Sequence, residues 1–320
     1  MARIKFAIPK GSLQEDTIRF LRDAGYEIRG SERSYRPVIN DPEISLKLLR
    51  PQEIPMLVET GNHDIGITGI DWIEETKANV EILLNLEYGR VRLVLAVPRP
   101  WEDINSLNEL LTWKNEKSET LKISTEYPNI TARYLLKNKV YQELYGDREP
   151  LVITPWWMKG ENEKVKIFLS FGATEAKPPE DADAIVDVTE TGTTLEQNNL
   201  KPVETIMESY AVLIANKKSL ENEKKREKIF DVVALLKGVI DGRKRVHIFV
   251  NVRKENLDKL LKALPALKSP TISPLAKEGW YSINTVVSKD EFFKILPVLR
   301  KLAQGLVVYD PRQIMMLKEE

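Results

Sequence analysis

Between Asp183 and Asn199 the chain reads DAIVDVTETGTTLEQNN: an apolar run ending in an acid, a loop of threonines with one glutamate and one glycine, then a helical pattern. Where a parallel strand delivers its carboxyl end into a helix, several backbone N–H groups lack intrahelical partners and carry partial positive charge. Phosphate fits such a turn. Gly192 permits close approach and unusual backbone angles, while the hydroxyls of Thr191, Thr193 and Thr194 can donate to phosphate oxygens without any lysine. Asp187 would repel phosphate, so its chemistry is different: a carboxylate beside such a cradle suits the vicinal hydroxyls of a ribose or a hydrated magnesium ion. Phosphate plus ribose is a phosphosugar. The same residues also suit a plain Ser/Thr-capped helix start with no ligand, and only the whole run from strand to Thr194 separates the two readings.

Composition narrows the rest. With 320 residues, 42% of them hydrophobic, the chain can bury a sizeable core and spans two or three domains at roughly 150 residues each. Its 48 basic and 48 acidic side chains cancel, so no summed positive field holds nucleic acid or an anionic membrane. No cysteine and only two histidines, His63 and His247, exclude a thiol nucleophile, a disulfide framework and a zinc site of several His and Cys ligands. Any metal is then a hard cation held by oxygens. No run approaches the roughly 18 apolar residues of a spanning helix, which predicts a soluble, cytoplasmic protein.

The elements that must position the loop follow from periodicity. RIKFAIP, ISLKLLR and DIGITG read as strands; SLQEDTIRFLRDAGYEI, capped by Ser12, and PQEIPMLVETG read as helices, and the alternation argues for a mostly parallel α/β sheet. The rhythm repeats with LNELLTW, LKISTEYP and NITARYLLKN, passes through an ambiguous region up to Glu180, and returns with DAIVDV. An amphipathic helix over 219–242 marks a domain boundary, after which the order βαββαβ predicts a ferredoxin-like module.

Taken together, IPKGSL, LLRPQEIP, HDIGITGIDWIEE, TEYPNITARY and DAIVDVTETGTTL, in this order, resemble ATP phosphoribosyltransferase over nearly the whole chain, and KSPTISPL with EGWYSINTVV resembles the C-terminal domain of its long form. The resemblance implies a two-lobed catalytic core of the periplasmic-binding-protein type: lobe I over 1–92 plus 200–218, lobe II over 93–199 with the loop for phosphoribosyl diphosphate (PRPP), and a regulatory domain over 219–320. It implies condensation of ATP with PRPP to N1-(5-phosphoribosyl)-ATP and pyrophosphate with magnesium, a hexamer, and inhibition by histidine. The main rival is a cytoplasmic two-lobed small-molecule binding protein without catalysis. A third option is phosphoribosyl transfer to some other base.

By the same resemblance Asp187, Glu190, Thr191, Gly192, Thr193 and Thr194 bind PRPP; Lys10, Gly11, Arg50, Gly69, Asp71, Arg133 and Glu175 are assigned to ATP; Asp187, Lys10 and Arg50 are assigned to catalysis. Asn251, Ser269, Thr271 and Ser273 would bind histidine. The chain departs from the family pattern at Val186, where a second acid is common; at Ser12, where arginine is common, which makes Arg133 the candidate substitute; and at Asn251, where an acid is often found. Phe171 is interposed in the SG-x-x-E stretch. The Trp156-Trp157 pair, in a region longer than the family's usual strand, reads as an elaborated hairpin in preference to an adenine-stacking element, with one ring packed inward and the other covering a lobe or subunit contact.

Overall fold

The computed structural model describes residues 3–30, 34–265 and 270–315. The chain divides into two compact units, one formed by Lys5–Gln14 with Lys47–Ser219, the other by Met1–Ile4, Glu15–Leu46 and Leu220–Glu320. It begins with β1 (Ile4–Pro9), α1 (Gln14–Asp23), β2 (Ile28–Arg29), β3 (Val38–Ile39), β4 (Ile44–Leu49), α2 (Ile54–Glu59), β5 (Ile65–Gly69), α3 (Ile70–Thr76) and β6 (Glu81–Asn85). Next come β7 (Val91–Pro98), α4 (Leu107–Glu116), β8 (Leu121–Thr125), α5 (Pro128–Lys137), α6 (Lys139–Tyr145), β9 (Pro150–Ile153), β10 (Met158–Lys159), β11 (Asn162–Leu169), β12 (Ala184–Thr189), α7 (Thr193–Gln197) and β13 (Leu200–Ser209). The last part is β14 (Ala211–Ala215), α8 (Lys217–Glu221), α9 (Glu223–Arg243), β15 (Arg245–Arg253), α10 (Lys254–Ala263), β16 (Thr271–Pro274), β17 (Trp280–Ser288), α11 (Lys289–Leu302) and β18 (Ala303–Tyr309).

The first sheet has the order β4-β1-β5-β14-β6. Every residue of β5 and β14 is buried, as expected for strands covered on both faces. The second sheet, β10-β9-β11-β8-β12-β7-β13, sets β12 between parallel β8 and antiparallel β7, so the strand that ends near Asp187 is central. Its core packs Leu93, Leu95, Ile123, Ile167 and Val186 with Leu107 and Leu111 of α4 and Ile130 and Leu135 of α5. Helix α4 is capped by Ser106, whose side chain accepts the Glu109 N–H, and Pro128 opens α5 where its missing N–H costs nothing. These two sheets form the two-lobed core expected above.

The third sheet, β16-β17-β15-β18, is antiparallel throughout, and Ile248, Val250 and Val252 pack with Leu260, Ile295 and Leu299 from α10 and α11 on one side of it. This is the ferredoxin-like βαββαβ arrangement.

Several expectations change. Residues 200–209, assigned above to lobe I, form β13, which pairs with β7 in the second sheet; the chain returns to the first sheet only with β14, beyond Tyr210. The ambiguous region resolves into α6, β9, β10 and β11, with β9 and β10 forming a hairpin. Trp156 and Trp157 lie in the turn of that hairpin, and both are exposed, 72% and 49%, so neither packs inward. Helix α1 starts at Gln14, whose N–H bonds to the Gly11 carbonyl, so a turn at Gly11 leads into it where a Ser12 cap was expected.

Candidate active site in the interlobe cleft

Strand β12 is anchored before it reaches the site. Asp183 accepts the Lys122 N–H (2.8 Å) and pairs with the buried Lys114 ammonium (2.6 Å). At the other end the half-buried Asp187 accepts the N–H of Val188 (2.7 Å). Burial is the largest influence on its carboxyl and pushes it up to about 6; the Val188 N–H opposes this, and the nearby charges of Glu175 and Glu126 add to it. Thr174, 1% exposed, sits close enough to draw the carboxyl slightly down, yet its hydroxyl is outside hydrogen-bond geometry and has no partner.

The loop after Asp187 is tied by its own hydroxyls. Buried Thr189 accepts the Gly192 N–H (3.0 Å), and the Thr191 and Thr193 hydroxyls bond to each other (2.8 Å). Glu190, Thr191, Thr193 and Thr194 are exposed around the turn. Gly192 holds φ +89° as the residue before α7, and a Cβ there would meet nothing within 4 Å. Glycine is therefore required by the dihedral, and the space beside it is open to a ligand. Gly192→Ala is expected to cost about 1 kcal/mol of stability through left-handed strain and to raise KM for PRPP several-fold while leaving KM for ATP unchanged; chemical denaturation and steady-state kinetics measure the two effects. With only five residues, α7 contributes little dipole, and the polar groups presented at the turn are the hydroxyls and local N–H groups.

Further candidates come from strand ends of the first sheet. Lys10 follows β1 and its N–H bonds to the Leu49 carbonyl (2.7 Å), which brings it beside Arg50 at the end of β4. Gly11 holds φ +102°, and a Cβ there would lie 3.7 Å from Arg50 Nη1. Arg50, Gln52 and Trp72 from lobe I and Glu126, Leu169, Ser170, Phe171 and Gly172 from lobe II enclose a cleft of about 480 Å³. The Glu126 carboxyl is raised mainly by burial and then by Glu175, and lowered by the Gly172 N–H and by Arg50. The exposed Arg50 guanidinium thus acts on Glu126, whose charge, with that of Glu175, reaches Asp187.

Three assigned residues do not join this site. Asp71 is buried at the junction of the lobes, where Oδ1 accepts the Ser209 hydroxyl (2.6 Å) and Oδ2 accepts the Tyr127 hydroxyl (2.8 Å). Burial lifts its carboxyl, and the two hydroxyls hold it down. A Cβ on Gly69 would sit 2.0 Å from Asp71 Oδ1, so this glycine makes room for the carboxylate and not for a ligand. Arg133 donates from Nη2 to the Glu74 carbonyl (2.8 Å) and lines a separate hollow with Glu74, Tyr134 and Lys137. It does not replace the charge missing at Ser12.

A family model described as ATP phosphoribosyltransferase matches residues 50–238, and one described as the HisG C-terminal domain matches residues 242–312. The chain belongs to the ATP phosphoribosyltransferase family. Curated relatives of that name include one from Solibacter usitatus, 40% identical over 98% of this chain and 99% of its own, and one from Chlorobaculum parvum, 41% identical over 96% of each. The fold agrees with a Thermotoga maritima structure described as an ATP phosphoribosyl transferase (HisG:HisZ) complex, with TM-score 0.55 and 28% identity over 74% of this chain and 98% of that one. As a family member the chain is a transferase of histidine biosynthesis.

Within the family's C-terminal domain, Asn251 pairs with Ser282 across β15 and β17, and Ser273 of β16 pairs with the same Ser282. Thr271, two residues before Ser273 on β16, points to the same side, and that face is opposite the buried Ile248, Val250 and Val252. Ser269 lies outside the described residues. Sequence reasoning missed Glu126, Tyr127, Thr174 and Thr189. Glu126 follows an apolar strand and opens a loop, the position from which Asp187 was found, and that shared placement was the signal.

Proposed function

We propose that this transferase joins ATP and PRPP through the ATP adenine N1, releasing pyrophosphate. The observation that carries the reading is Asp187, which leads into the Thr189–Thr194 turn and feels the charge of Glu126, a residue that lines one cleft with Arg50, beside which the Leu49 carbonyl holds Lys10. Displacement at C1 of the ribose passes through a cationic state, and the attacking nitrogen carries no proton, so positioning and charge balance suffice without a general base. Asp187 grips the ribose hydroxyls, the Thr191, Thr193 and Thr194 hydroxyls hold the 5-phosphate, and Lys10 and Arg50 balance the departing pyrophosphate. Glu190 is assigned to PRPP, and Glu175, whose charge reaches Asp187, to ATP.

Magnesium supplies charge neutralisation on the phosphates. Among the described residues no three His, Cys, Asp or Glu side chains converge as a metal cage. That donor set suits an ion held mainly by substrate phosphates with at most one or two carboxylates, of which Asp187 is the nearest to the proposed ribose. Histidine would act at the face bearing Asn251, Thr271 and Ser273, and a homo-hexamer is the proposed assembly. A cytoplasmic location is proposed from the family's biosynthetic role, and no helix among the described residues is long and apolar enough to cross a membrane.

Purified protein with ATP, PRPP and magnesium should release pyrophosphate at a rate that depends on all three. Calorimetry showing an amino acid in the cleft with no response to PRPP would instead establish the binding-protein reading, and equal rates with other nucleotides would change the acceptor.

A further inference from the structure

We infer that Phe171 is the adenine platform of this cleft, with Trp156 bracing it from behind and Trp72 closing the opposite wall; the inference rests on the proposed reaction. Phe171 is 69% exposed and Trp156 72% exposed, and their rings meet edge to face with centroids 5.7 Å apart. Large exposed apolar rings that adjoin one another mark a surface that is covered in use. Phe171 belongs to the loop that carries Thr174 beside Asp187, and the N–H of Gly172 in the same loop draws the Glu126 carboxyl down. Trp72, on α3 of the other lobe, lines the same cleft and is itself held by stacking on Tyr127 with centroids 4.4 Å apart.

The reaction dictates how adenine must lie. The N1 lone pair is in the plane of the ring, so the purine points an edge at C1 while the new N1–C1 bond forms and the C1–O bond breaks, its electron pair leaving with pyrophosphate. Both faces of the purine are then free, and they need apolar walls within one ring's width of the ribose held by Asp187. Phe171 and Trp72 are aromatic side chains that line the cleft from opposite lobes. Base stacking on an aromatic ring is sequence-tolerant on its own, so Gln52 and Glu126, in the same cleft, are the polar groups placed to distinguish the adenine edge from other bases.

Steady-state kinetics with each substrate varied test this. Phe171→Ala should raise KM for ATP about ten-fold or more and leave KM for PRPP within about two-fold. Phe171→Trp should restore KM for ATP, and Phe171→Leu, which keeps the bulk but not the π face, should not. An unchanged KM for ATP in Phe171→Ala, an equal rise for both substrates, or full rescue by leucine overturns the platform while leaving the reaction intact. A parent protein that releases no pyrophosphate from ATP and PRPP overturns the reaction and the platform together.

Discussion

Asp187→Asn should lose about a hundred- to a thousand-fold in kcat/KM, the scale of removing a group aimed at the reacting centre, and should nonetheless be the more stable protein at neutral pH. Both effects come from one carboxylate. Its pKa lies near 6 in the fold, mainly because burial disfavours the charged form, and near 3.9 in an unfolded chain. A folded value above the unfolded one means that the ionised group costs stability at every pH above about 6. The cost declines between about 6 and 4 and is absent below that range. Asparagine removes a penalty on the order of 1–3 kcal/mol, so the variant should melt higher than the parent at neutral pH and show no advantage near pH 4. The parent's kcat/KM should also fall on the acid side with an apparent pKa near 6, because a protonated carboxyl cannot accept from both ribose hydroxyls. That limb should vanish in the variant. A variant with full activity, or one that is less stable at neutral pH, would remove Asp187 from the role of strained ribose clamp.

The strand, acid and glycine turn at 184–194 were legible because each rests on local chemistry: burial of the apolar run, the left-handed angle of Gly192 and the hydroxyls around it. The ferredoxin-like module was equally plain, its periodicity changing from two to 3.6 at each element boundary. Where legibility failed, the deciding partner was distant in sequence. A Gly-Ile-Asp after a buried strand reads the same whether the acid faces a ligand or a lobe junction, and only Ser209, 138 positions away, shows which. Strand β13 was misplaced for a similar reason. Its mostly half-buried pattern fits the edge of either sheet, and the choice is made by pairing with β7, a hundred residues earlier in the chain. Arg133 drew attention through its charge, but Glu74 is the partner its helix brings into reach. Thr189, by contrast, stands inside the quoted loop, and its task of holding the Gly192 N–H depends on a backbone turn that side-chain types alone do not specify.

Asp71→Ala should be the most destabilising single change at the lobe junction, at about 2–4 kcal/mol, because it leaves two buried hydroxyls without their acceptor. The lobes are joined there by two carboxylates of α3. Asp71 receives the hydroxyls of Tyr127 and Ser209, and Glu75 receives the N–H groups of Asn129 (2.9 Å) and Ile130 (2.8 Å) at the start of α5. From Tyr127 the connection continues inward: its N–H bonds to Thr125 Oγ1 (2.8 Å), and that hydroxyl donates to the Val186 carbonyl (2.6 Å), one residue before Asp187. The junction therefore supports the backbone that carries Asp187, and under the proposed mechanism its loss should reach the reaction as well as the fold. Asp71→Asn should be milder, since the Tyr127 hydroxyl can turn to accept from the amide while the remaining oxygen keeps Ser209. In a Tyr127→Phe background the same alanine change should cost less, because the hydroxyl it orphans is already gone; denaturation of the four proteins gives the coupling. Additive losses across that cycle would show that Asp71 and Tyr127 act separately. A kcat/KM for PRPP that stays at the parent value in Asp71→Ala would show that the junction holds the lobes together without positioning Asp187.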